Sequence, residues 1–362
     1  MAQGLCGRTT AMPVGIDASP ITLICPGCKA ALREGTEGYV CVGCGQVYPV
    51  LGGVLRMLPA LTGAEEQTRA AFDFEHRRYQ QARYLRITPD LIEAWLAEVR
   101  LPRDYFKGGT VLDVGCGTGR WTYALASLGA KVVAVDVSDA AVEITSEVIR
   151  GLGDVTVIQA SVFHLPFQPG QFDFVVSWGV LHHTRCTESA FRRIAPLVRP
   201  GGRLHIMVYE RRNPVKVLGT EVLRMVMRRL TPEARYRWCG RLVISNRRVF
   251  QLVRGLIACV PASDLSDTLD AEKAQFGLYD WYSPRYNHLH RVAEVCGWFH
   301  KAGFDDLRVT SPIKYRRWWE VLRFGQCGVS ISVQGRRQAR VRTVVPEAVQ
   351  EGRLADALSA AV

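Results

Sequence analysis

A chain that runs from a short apolar stretch straight into glycines at every second position has few backbone options. Residues 111–120 read VLDVGCGTGR, with Gly115, Gly117 and Gly119 directly after the apolar run. Glycine accepts sharp turns and positive φ, so such a loop ends a strand and brings main chain within contact of a ligand. The surrounding pattern agrees. Apolar runs VLDV (111–114), KVVAVDV (131–137), VTVI (155–158), FDFVVSW (172–178) and GRLHIMVYE (202–210) alternate with helical stretches near 119–128, 139–150 and 187–198. This alternation predicts βαβ units and an α/β fold: a doubly wound, Rossmann-like, mostly parallel sheet with helices on both faces. A helix over 289–303 and strands near 306–311 and 328–334 resume the pattern after an interruption at 211–275.

Asp136 ends the second strand, 21 residues after Gly115. A carboxylate there is placed to accept both hydroxyls of a ribose. A dinucleotide site shares these features, but its glycine spacing is G-x-G-x-x-G, and here it is G-x-G-x-G. Asp113, two residues before the first glycine, would repel a pyrophosphate and suits a ligand with an amino group. S-adenosylmethionine has a ribose, an amino group and a sulfonium, and no phosphate.

VLDVGCGTGR, VVAVDVS, LPF (165–167), FDFVVSWGVLHHT and LVRPGGRLHIMVYE together resemble the class I S-adenosylmethionine-dependent methyltransferases. The resemblance covers about 108–210 and the C-terminal helix and strands, and is nearest to the ubiquinone- and menaquinone-type branch with its small-molecule enzymes. It implies that Asp113, Gly115, Cys116, Gly117 and Gly119 hold the methionine end, and that Asp136 and Val137 hold ribose and adenine. It further implies that Ser161 and Val162 meet the adenine edge, and that Ser177 and Trp178 border the methionine. Ser161 stands where many relatives carry Asp.

Of eleven cysteines, four fall together as Cys25, Cys28, Cys41 and Cys44, in the spacing C-x2-C-x12-C-x2-C. Two facing C-x-x-C knuckles form the closed tetrahedral sulfur set that structural Zn2+ prefers. Tyr39-Val40 and 46–50 read as strands on either side of the second knuckle. The segment resembles the small zinc-ribbon modules that precede some bacterial methyltransferase domains. The other seven cysteines read as scattered, buried small hydrophobes.

Methyl transfer to a hydroxyl calls for a general base, and histidine suits that task near neutral pH. His182 and His183 follow the fourth strand at the ligand-binding edge; the alternative is that they only shape the loop. DWYSPRYNHLH (280–290) adds Asp280, Tyr282 and His288 as candidates, with a tight aromatic helix entry as the alternative.

The formal charge is +12, and residues 211–254 hold twelve Arg or Lys against Glu221 and Glu233, a net of +10. A basic, apolar, helical insertion suits a lid with a solvated basic face, an acidic or lipid-like acceptor, or peripheral membrane contact through 211–260; nucleic acid ranks below these. The expected organisation is a flexible tail (1–20), zinc ribbon (21–59), helical lead-in (60–107), methyltransferase domain (108–345) and C-terminal tail (346–362). With no apolar run of about 18 residues and no secretory signal, the expectation is a cytoplasmic enzyme. It would be a methyltransferase acting on a hydroxyl of a sugar, glycan, lipid or secondary metabolite. The alternative is an RNA methyltransferase that uses the ribbon and basic insertion to hold RNA. A non-catalytic scaffold is a third class, opposed by the intact glycine loop and Asp136.

Overall fold

The computed structural model of the chain describes residues 21–79, 88–211, 214–244, 268–311 and 330–339. The expected tails, 1–20 and 346–362, lie outside them. Four short strands come first: β1 (Leu32–Gly35), β2 (Gly38–Cys41), β3 (Val47–Leu51) and β4 (Val54–Arg56). Helices α1 (Gly63–Tyr79) and α2 (Asp90–Val99) follow. Then β5 (Thr110–Val114), α3 (Arg120–Ser127), β6 (Lys131–Asp136), α4 (Asp139–Val148), β7 (Val155–Gln159), β8 (Phe172–Trp178), α5 (Thr187–Ile194) and β9 (Val198–Tyr209) alternate as the sequence predicts. The chain continues through α6 (Pro214–Met227), α7 (Pro232–Ile244), α8 (Thr268–Tyr282), α9 (Val292–Lys301), β10 (Phe304–Val309) and β11 (Ser330–Arg337).

The sheet order is β1-β2-β3-β4-β7-β6-β5-β8-β9-β11-β10. Strands β4 through β9 pair in parallel, while β11 runs antiparallel to both β9 and β10. Parallel strands buried on both faces need continuous apolar runs, and β5 has every residue buried. The strand order turns back on itself at β5: its successors β6 and β7 lie on one side and β8 and β9 on the other. Ligands bind in the crevice outside the carboxyl ends of the strands at such a switch point.

Two features differ from the expected organisation. Residues 21–59 do not stand apart from the sheet. β4, not foreseen as a strand, pairs antiparallel with β3 and parallel with β7, through Leu55 opposite Ile158 and Arg56 opposite Gln159. Leu55 and Met57 are fully buried and join the same core as Val133 and Ile158. Second, Asp280 and Tyr282 belong to the last turn of α8, not to a loop preceding a helix.

Candidate functional site

The four expected metal ligands converge. The Sγ atoms of Cys25, Cys28, Cys41 and Cys44 lie within 4.8 Å of one another. Cys25 and Cys44 are 3.8 Å apart and Cys28 and Cys41 3.3 Å. A tetrahedral ion with bonds of about 2.3 Å sets its sulfurs roughly 3.8 Å apart, so the donor set fits zinc. Main-chain N–H groups of Gly43 and Cys44 donate to Cys41 Sγ at 3.3 and 3.4 Å. Burial opposes a thiolate at Cys25, but hydrogen bonds from the Tyr48 hydroxyl, 3.1 Å away, and from backbone N–H groups outweigh it and hold the thiol at about 6. Among the scattered cysteines, Cys116 and Cys239 are buried as expected; Cys186 is exposed, because it stands at the start of α5 outside the core.

A cleft of about 640 Å³ opens at the switch point, a volume ordinary for a small-molecule site. Its floor is the loop after β5. Gly115, Cys116 and Gly117 line it, and Gly115 has φ 82°. A Cβ on Gly115 would sit 2.2 Å from Val180 Cγ2, so the loop after β8 can close against it only because the side chain is missing. Gly119 does not reach the cleft; at φ 78° it turns the chain into α3 against Thr145.

Asp136 faces the cleft. Its Oδ2 accepts the Gly117 N–H at 3.0 Å and its Oδ1 the Ser138 N–H at 2.9 Å. Each oxygen keeps a lone pair for a further donor. Val137, Ser161 and Val162 line the same end. Ser161 Oγ accepts the Phe163 N–H at 3.3 Å. Trp178 also lines the cleft, with its indole N–H donated to Glu98 Oε1 at 3.2 Å.

Two expected cofactor residues lie beneath the cleft instead. Asp113 is 2% exposed and accepts a hydrogen bond from Thr122 Oγ1 at 2.7 Å, and burial pushes its carboxyl up to about 7. Ser177 is fully buried and donates to the Val114 carbonyl at 3.0 Å. Asp113 stands opposite Val176 in the register, so Asp113 and Ser177 project to opposite faces of the sheet, each into packed surroundings.

The five expected catalytic residues separate. His183 and Asp280 line the cleft together. His183 Nδ1 lies 3.0 Å from the Tyr286 carbonyl, which can only accept, so Nδ1 carries the proton. Nε2 then keeps its lone pair; it has no hydrogen-bond partner among the described residues and lies 3.6 Å from Asp280 Oδ1. Asp280 Oδ2 also accepts the Tyr209 hydroxyl. Burial pushes the His183 pKa down, against the pull of Asp280. His182, by contrast, is fully buried outside the cleft, with its ring 3.9 Å from that of Tyr209. Tyr282 is buried in a cluster with Met227 and Tyr279. His288 ties the loops instead: its Nε2 is 3.0 Å from the Thr184 carbonyl and its N–H donates to the His182 carbonyl at 2.9 Å. These three residues hold the site's walls and do not face it.

The roof was not foreseen. Glu65, Thr68, Phe72 and His76, spaced three and four apart on α1, all line the cleft. His76 Nδ1 is 3.2 Å from Ser138 Oγ, and its Nε2 is 3.4 Å from where a Gly117 Cβ would be. Asp73 pins α1 to the start of α4 by accepting the Ala140 N–H at 3.1 Å. That spacing was the available signal, but a charged amphipathic helix also describes an ordinary solvated one.

Residues 111–202 match the family described as a methyltransferase domain. The chain is 27% identical over 141 residues to the demethylmenaquinone methyltransferase of Staphylococcus epidermidis, covering 38% of this chain and 58% of that one. It is 33% identical over 151 residues to the ubiquinone biosynthesis O-methyltransferase of Pseudomonas paraeruginosa, covering 39% and 61%. The chain thus spans about three fifths of the length of these two curated relatives. Among solved structures, the phosphoethanolamine N-methyltransferase 2 of Haemonchus contortus in complex with S-adenosyl-L-methionine is similar at 15% identity, with a TM-score of 0.45 over 77% of this chain and 60% of that one. The segment that matches the methyltransferase-domain family carries the glycine loop and Asp136.

Proposed function

We propose that the protein transfers a methyl group from S-adenosylmethionine to a hydroxyl of a small molecule, in the class of sugars, glycans, lipids or secondary metabolites. The observation that carries the oxygen acceptor is the pairing of His183 and Asp280 at the cleft wall. His183 Nε2 offers a buried, unpartnered lone pair 3.6 Å from a carboxylate. Such a nitrogen can take a hydroxyl proton as the oxygen attacks, and Asp280 then stabilises the imidazolium.

The bound cofactor supplies an electrophilic methyl on sulfonium. Asp136 receives the ribose hydroxyls on its two remaining lone pairs, and Val137, Ser161 and Val162 flank the adenine. Gly115 and Gly117 let main chain approach the methionine end, and Trp178 closes that end. Asp113 acts from below, holding α3 through Thr122. The α1 roof, with Phe72 and His76, excludes water from an in-line displacement, in which alignment supplies most of the catalysis. The four-cysteine centre takes zinc as a structural ion, because four thiolates leave no open position for substrate. The RNA alternative is not favoured, since the relatives above are named for quinone pathways.

The test compares metabolite extracts incubated with S-adenosylmethionine and either the enzyme or its His183→Gln variant. A species that gains one CH2 only with the unaltered enzyme is expected, on an oxygen, while the variant keeps its cofactor affinity. Methylation at nitrogen or carbon, or full activity in the variant, refutes the oxygen reading.

A further inference from the structure

Helix α6 is inverted relative to an ordinary surface helix. Its inward face is partly polar: Thr220, Arg224 and Met227 are buried. The Arg224 guanidinium donates to the carbonyls of Trp281 and Pro284, so a cation holds this helix to the end of α8. Its outward face is apolar. Leu218, Val222, Met225 and Val226 are 69, 51, 56 and 56% exposed. At about 100° per residue these four lie within one third of the helix circumference, and exposed Arg229 follows in the turn just after the helix. On α7, Trp238 is 47% exposed beside exposed Arg237. Single exposed apolar residues need no explanation, but a contiguous stripe of this kind marks an interaction surface. The expected solvated basic face is found only in part among the described residues: Arg229, Arg237 and Arg241 are exposed, whereas Arg224 and Arg235 are buried as structural clamps.

We propose that α6 and α7 dock the protein onto an anionic lipid surface, the stripe entering the headgroup–acyl boundary and Arg229 and Arg237 meeting lipid phosphates. Charge chooses the occupant. Exposed Arg229 and Arg237 accompany the apolar stripe, and such cations complement an anionic leaflet. A second copy of the chain would fit poorly, because a twofold interface sets the same patch against itself and brings cations toward cations. No helix among the described residues is long and apolar enough to cross a membrane, so this face would lie on the surface without spanning it. Helix α8 packs on α7 and carries Leu278 and Asp280 to the cleft. A docked enzyme would thus draw on lipid-soluble acceptors, a step that rests on the proposed activity; the docking itself does not.

The experiment sediments the full, zinc-loaded chain with vesicles, without cofactor or acceptor, so that a failure of the proposed chemistry leaves its result untouched. Phosphatidylglycerol–phosphatidylcholine vesicles are expected to carry the protein down, and phosphatidylcholine alone roughly tenfold less. Val222→Glu with Val226→Glu, both at exposed positions, should cut sedimentation at least tenfold with the melting temperature unchanged. Arg229→Glu with Arg237→Glu should abolish the preference for phosphatidylglycerol. The proposal is overturned if the unaltered protein stays in the supernatant, or if the Val222→Glu, Val226→Glu variant sediments as before. It is equally overturned if these two glutamates instead dissociate a dimer that binds no vesicles.

Discussion

Replacing Asp136 with Asn probes the centre of the site with almost no change of shape. In the native loop each carboxylate oxygen accepts one backbone N–H, from Gly117 at 3.0 Å and from Ser138 at 2.9 Å. An Asn has one acceptor oxygen, so one of these N–H groups must face the new NH2 group. An unsatisfied buried donor costs about 1–3 kcal/mol, and the surviving bond, no longer charge-assisted, loses about 1 kcal/mol more. The loop should be destabilised by about 2–4 kcal/mol even without ligand. In binding, the two ribose hydroxyls lose a charged acceptor, at about 1 kcal/mol each, so cofactor affinity should fall by roughly thirtyfold or more. Isothermal titration with S-adenosylhomocysteine and its 2′-deoxy analogue separates the two effects. The unaltered protein should discriminate against the deoxy analogue, and the Asp136→Asn variant should largely lose that discrimination, because coupled groups show a non-additive cycle. Equal discrimination in both proteins would refute the placement of the ribose on Asp136.

Gly115→Ala should lower the melting temperature and abolish cofactor binding, since its Cβ would collide with Val180 and φ is 82°; adding Val180→Ala should recover part of the melting temperature in a thermal scan but not the roughly 1–2 kcal/mol of left-handed strain. Asp113 has a folded pKa raised to about 7, so its native carboxyl holds a proton that the unfolded chain releases near 4. Its contribution therefore worsens as pH rises from about 4 to 7, and urea titrations should show Asp113→Asn gaining on the native protein across that window and level above it; a constant gap would contradict this. Burial lowers the His183 pKa, so the base is already neutral at pH 7, and initial rates measured against pH should fall only on the acid side of the ordinary imidazole range; a rate already falling from pH 8 to 7 would contradict this. Cys25→Ser with Cys41→Ser should lose one equivalent of zinc by elemental analysis. Hydrogen exchange should then rise in β1–β3 first and in β4 less, because β4 is also held by β7.

The residue patterns alone determined the parallel sheet, the glycine loop, Asp136 and the four cysteines. Each of these is local: short continuous apolar runs between helical stretches, a turn that only glycine allows, or thiols brought together by two short knuckles. The facing of the histidines was not local. His182 and His183 are adjacent with the same chemistry, yet one is sealed behind Tyr209 and the other reaches the cleft. Their fates were decided by the loop's single turn and by Tyr286, more than a hundred residues away. The same holds for α1. The residue pattern gave only a helical lead-in there; once α4 and the glycine loop met it, Asp73 pinned the helix to α4 and His76 joined the roof. In α6 the sequence offered apolar and basic residues without saying which would be inside. The structure put the arginine in, because three-dimensional packing brought the Trp281 and Pro284 carbonyls to it. Backbone preferences and burial periodicity are written along the chain, whereas the partners that satisfy a buried polar group are supplied only when distant segments meet.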